Sequence, residues 1–65
     1  MRDPKRLDKF YDELKELHKN EVPDWRAGQL FCNVIEWLSN AKNMDAFFPE
    51  EDRLIEYFKE FLGVK

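Results

Sequence analysis

The chain has 65 residues, a net charge of −3 from 14 acids and 11 bases, 38% charged residues and 15% aromatic residues. That length leaves room for one domain (1–65) and no second core. The six phenylalanines argue against disorder, because each aromatic ring brings roughly 150–250 Å² to a core. Mixed, mildly acidic charge gives little general attraction for nucleic acid or anionic lipid. Cys32 is the sole cysteine, so no internal disulfide forms, and a reducing, cytoplasmic setting is expected. The charged start MRDPKRLDKF lacks the apolar centre of a secretion signal. No run approaches the ~18 apolar residues of a membrane span.

Asp3-Pro4 opens the first predicted helix, a capping carboxylate followed by proline at the first helical position. Leu7, Phe10, Tyr11, Leu14, Leu17 and His18 then recur at helical spacing and fill an arc of roughly 120°. The helix runs over about 4–19. Pro23 interrupts the chain, and Asp24 is the next expected cap.

The second helix, about 25–39, is the most informative stretch. Trp37, Leu30, Val34, Ala27, Leu38, Phe31 and Ile35 cover roughly 160° of its surface, and Gly28, Cys32 and Trp25 widen the arc to roughly 240°. Only Arg26, Gln29, Asn33 and Glu36 make a polar stripe. A helix so broadly apolar suits the central member of a three-helix arrangement. The third helix, about 49–62, begins at Pro49 with Glu50, Glu51 and Asp52 at the positive end of its dipole. Leu54, Ile55, Phe58, Phe61 and Leu62 form its buried stripe, and Gly63 is placed to cap it. The expected fold is an all-α three-helix bundle.

No catalytic set is legible. His18 is the only histidine, without an aligned nucleophile or carboxylate, and reads as a half-buried residue near a helix end. Cys32 reads as a small buried hydrophobe, and one Cys with one His cannot close a zinc site. No cofactor or metal is expected. Glu50-Glu51-Asp52 is explained by helix-start electrostatics, with DNA mimicry as a minor alternative. Arg2, Lys5, Arg6 and Lys9 form the only candidate nucleic-acid patch, but a recognition helix bearing Glu50, Glu51, Asp52, Glu56 and Glu60 would be repelled by phosphates.

Two features point to protein binding. The stripe Arg26, Gln29, Asn33 and Glu36 lies in one line, flanked by Trp25 and Trp37. It is either a plain solvent seam or a recognition strip, since tryptophan and arginine are enriched at hot spots. Phe47 and Phe48 are adjacent on a turn; both are expected as lids over the core, with exposure of one as the alternative.

The pattern M-R-D-P-x-R, P-D-W-R-x-G-Q-L and F-F-P-E-E-D resembles a family of short uncharacterised proteins of Gram-positive bacteria and their phages. The likeness runs from Met1 to about Phe61, and Pro23, Asp24, Trp25, Arg26, Gly28, Gln29 and Leu30 are its most specific part. It carries over no catalytic residue. It implies a small accessory protein, phage- or prophage-encoded, acting on a host protein. The expectation is therefore a non-enzymatic protein-binding module, an inhibitor or adaptor of a bacterial protein, with Trp25, Arg26, Gln29, Asn33, Glu36, Phe47 and Phe48 as contact residues. Self-association as a homodimer or structural homo-oligomer would also cover surplus apolar surface. A small nucleic-acid binder is the other alternative.

Overall fold

The computed structural model describes residues 2–64 and contains three helices, α1 (Arg6–Glu21), α2 (Ala27–Ala41) and α3 (Glu51–Leu62). The expected three-helix bundle is present, and among the described residues there is no strand. Leu30, Val34 and Leu38 of α2, Phe10, Leu14 and Leu17 of α1, and Ile55 and Phe58 of α3 are buried together. All eight are hydrocarbon side chains, and among the described residues no polar or charged one is buried with them, so this core contains no desolvated group in need of a partner.

Each helix boundary has a local cause. Asp3 does not cap α1, whose cap position is Lys5 without a side-chain bond; its Oδ1 accepts from the Lys5 N–H at 2.9 Å in an Asx turn just ahead of the helix. The first turn is tighter than α, with Arg6 N–H donating to the Asp3 carbonyl and Leu7 N–H to the Pro4 carbonyl, and regular α1 therefore starts at Arg6. Asp24 does not cap α2. Val22-Pro23-Asp24-Trp25 closes as a turn, Trp25 N–H donating to the Val22 carbonyl at 3.1 Å, with proline at its second position. The helix start moves to Arg26, whose N–H donates to Gln29 Oε1 at 2.7 Å. This is half of a capping box; the reciprocal half is chemically closed to arginine, which has no acceptor. His18 secures the same connection: its Nε2–H donates to the Trp25 carbonyl at 2.7 Å.

Glu50 takes the extended conformation before α3, and Glu51 and Asp52 occupy its first turn, where the helix dipole favours acids. Gly63 ends α3 at φ 77°. Its N–H donates to the Glu60 carbonyl and that of Val64 to the Lys59 carbonyl, the Schellman arrangement that a left-handed glycine allows. Val64 then packs against the core.

Ion pairs set the direction of packing. Arg6 Nε donates to Glu51 Oε1 at 2.6 Å, and Lys59 Nζ stands 3.5 Å from Glu13 Oε2. Start faces start and later turn faces later turn, so α1 and α3 run parallel. Of the three helix pairs, α1 and α3 pack together most extensively, α2 packs on α3, and α1 and α2 approach at few points. The sequence suggests an α2 covered on two sides. In the structure α2 supplies the three deepest side chains, Leu30, Val34 and Leu38, yet one flank of its apolar arc is bare.

Candidate functional site

The bare flank follows from helix geometry. Leu30, Val34 and Leu38 are spaced by four and face inward. Phe31 and Ile35 are each one residue further on, about 100° around the helix, and fall beyond the reach of α1 and α3. Phe31 is 37% exposed and Ile35 50%. Gly28, Cys32 and Ser39 on the same flank are exposed too, as is Ala27 at the helix start. Cys32 is thus not the buried hydrophobe that its apolar setting suggests, because it sits at the outer edge of the arc.

Two further segments extend this surface. The Phe31 ring meets Phe58 edge-on at 6.1 Å, Phe58 meets Phe10 at 6.4 Å, and Phe10 meets Tyr11 at 5.0 Å. Tyr11 of α1 ends this path of rings, 58% exposed. On the other side, Ile35 lines a shallow hollow with Asn43, Met44, Asp45 and Ala46, and this loop leads into Phe47 and Phe48.

Those two phenylalanines are not lids. They are 84% and 74% exposed and contact each other edge-to-face at 5.3 Å. Asp45 is the cause. Its Oδ1 accepts from the Phe47 N–H at 2.9 Å, and its carbonyl accepts from the Phe48 N–H at 3.2 Å, an Asx turn that fixes the local path. Met44 and Ala46 take the inward positions and pack on the core instead. Pro49 holds Phe48 away from the helical region, so neither ring can fold back as part of α3.

Tyr11, Phe31, Ile35, Phe47 and Phe48 are the exposed large hydrophobic residues. With aromatic side chains of about 150–250 Å² each, they present on the order of 600 Å² of apolar side chain in all.

The other expected contact residues are placed differently. Trp25 and Trp37 clasp Phe61 of α3, with ring centres 6.4 Å and 5.5 Å away. Lys42 Nζ lies 5.5 Å above the Trp37 ring and 2.6 Å from Glu60 Oε2. Both tryptophans are half-buried and serve packing. Arg26, Gln29, Asn33 and Glu36 are exposed and lie on the side of α2 away from Phe31 and Ile35. The structure therefore separates the polar seam from Phe47 and Phe48. The exposure of Tyr11, Phe31 and Ile35 was not anticipated. Its signal was position: on α2, Phe31 and Ile35 lie beyond Leu38 at one side of the arc that Leu30 and Val34 centre, and Tyr11 lies at the side of the α1 arc.

A second hollow, about 480 Å³, lies between α1 and α3. Its charges pair with one another: Arg6 with Glu51, and Lys59 with Glu13 and Glu56. Arg2 pairs with Glu50 at 2.6 Å, so two bases of the N-terminal patch, Arg2 and Arg6, already face the acids at the start of α3. Among the described residues no three potential metal ligands come together, and no helix is long and apolar enough to cross a membrane. The Arg6 hydrogen bond holds the Glu51 carboxyl below its ordinary value of 4.5. A depressed folded value contributes stability above the unfolded value, and that contribution is lost as pH falls through the folded one. The stability gap between wild type and Glu51→Gln is accordingly expected to be full at neutral pH and to close below about 4.5. Urea unfolding across a pH series measures it, and a gap independent of pH would contradict the pairing.

No family model, curated protein or solved structure matches the chain.

Proposed function

We propose that this chain is a non-enzymatic protein–protein interaction module whose contact surface is the strip Tyr11, Phe31, Ile35, Phe47 and Phe48. The observation that supports it is the exposure of Phe47 and Phe48, 84% and 74%, on a turn built to hold them outward. Two aromatic rings kept in water bring no stability to the free chain, whereas at an interface they are the residue type that anchors binding. The strip joins them to the uncovered flank of α2 and gives a surface of interface character, apolar at its centre with charges elsewhere. The motif resemblance favours an accessory role, an inhibitor or adaptor acting on a bacterial protein.

The test is quantitative capture from the native host with wild type and with a Phe47→Ser, Phe48→Ser double variant. Neither ring is in the core, so thermal unfolding of the variant at low protein concentration is expected to match wild type. Loss of anchors worth about 2 kcal/mol or more weakens binding roughly 30-fold. Equal retention of partners by the two proteins would refute this surface as the site.

A further inference from the structure

We infer that the occupant of the strip is a second copy of this chain, packed with its α2 antiparallel to α2 across a two-fold axis. The inference rests on the interaction-module reading above and names its partner.

Charge is the first argument. A symmetric contact sets the same patch against itself, so any charge on it faces a like charge. Each copy carries −3, and most of its acids lie on α1, α3 and the connections; Asp45 borders the Ile35 end of the flank, where antiparallel packing sets it beside the Ala27–Gly28 end of the other copy and not beside the other Asp45. The uncovered flank of α2 consists of Gly28, Phe31, Cys32, Ile35 and Ser39, with Ala27 at its start, and carries no charged side chain. It is the face on which two acidic copies set no like charges directly opposite each other.

Shape is the second. Phe31 and Ile35 are one turn apart, with Asn33 midway between them along the axis. Antiparallel packing about that midpoint seats Phe31 of each copy against Ile35 of the other. The two ends of the flank then meet, and they are unlike. The Ala27–Gly28 end is small, and a Cβ placed on Gly28 would meet nothing within 4 Å. The Ile35 end adjoins the loop that carries Phe47 and Phe48. Bulk on one copy falls beside open space on the other, twice by symmetry.

Area is the third. The five large side chains present on the order of 600 Å², the greater part of the ~800 Å² per partner of a standard interface. A 65-residue chain with eight buried side chains also gains stability from each apolar group that a second copy covers.

Sedimentation equilibrium from micromolar to millimolar protein tests this. The mass is expected to rise from 8.0 kDa to twice that. A short bis-maleimide should link Cys32 of two copies. Ile35→Glu, and independently Phe48→Glu, should weaken the dimer at least tenfold and abolish the cross-link while leaving the helical signal intact. Asn33→Glu on the opposite side of α2 should do neither. A mass of 8.0 kDa at every concentration, or a dimer indifferent to both variants, overturns the inference. If the mass stays monomeric while Phe47→Ser, Phe48→Ser still abolishes capture of a host protein, the partner inferred here is wrong and the interaction-module reading survives. If the variants change neither mass nor capture, both fall.

Discussion

Phe58→Ala is expected to remove about 3–5 kcal/mol of stability. A domain of this length has roughly 3–10 kcal/mol in total, so the variant should be largely unfolded or close to it. Phe58 is buried on α3, and its ring is the hinge of the aromatic path, edge-on to Phe31 at 6.1 Å and to Phe10 at 6.4 Å. Truncation removes the apolar area of one ring and strands the edges of two others over a void that α1 and α2 cannot close together, since they approach each other at few points. At about 4–8 °C per kcal/mol for a small domain, the midpoint should fall by well over 10 °C in a circular-dichroism melt. A loss under about 1 kcal/mol would contradict the cluster, being far below the usual Phe→Ala range.

Leu38→Ala should cost about 2–5 kcal/mol, and Ile35→Ala, one turn earlier, no more than about 1 kcal/mol, the smaller change expected away from a core. The contrast isolates the two flanks of α2. Leu38 is 0% exposed and Ile35 50%, although both are aliphatic residues on the same apolar arc. Leu38 also holds the helix end through its carbonyl, which accepts from Lys42 and Met44 N–H groups at 3.1 Å. That role belongs to the backbone and survives truncation, so the loss reports side-chain packing alone. Urea unfolding of the pair gives the comparison. Equal losses would mean that the outer flank of α2 is covered in the folded protein, which a dimer under the assay conditions would also produce; repeating the measurement at lower protein concentration separates the two.

The helices and the inward-facing residues were legible because periodicity and punctuation reinforced each other. Pro4, Pro23 and Pro49 marked the starts within a few residues, and Gly63 marked the last end. What periodicity could not supply was the limit of cover. It counts how wide an apolar arc is, and not how much of it two neighbours can reach. Trp25 and Trp37 looked like surplus beside the polar seam and turned out to hold Phe61; Phe31, Ile35 and Cys32 looked interior and lie outside. The Phe47-Phe48 turn was legible as a candidate but not as an exposed one. Its outcome was settled by a single side-chain hydrogen bond from Asp45 and by the smaller Met44 and Ala46 taking the inner places.

The parallel packing of α1 on α3 bears on synthesis. The most extensive helix contact joins the first helix to the last, so the chain between them must be looped closed before that contact forms. Translation delivers α1 and α2 first, and these are the two helices with least to offer each other. Until α3 leaves the ribosome, Phe10, Leu30 and Val34 have no complete shelter. The nascent chain therefore stays open to chaperones and proteases until α3 has emerged to complete the core.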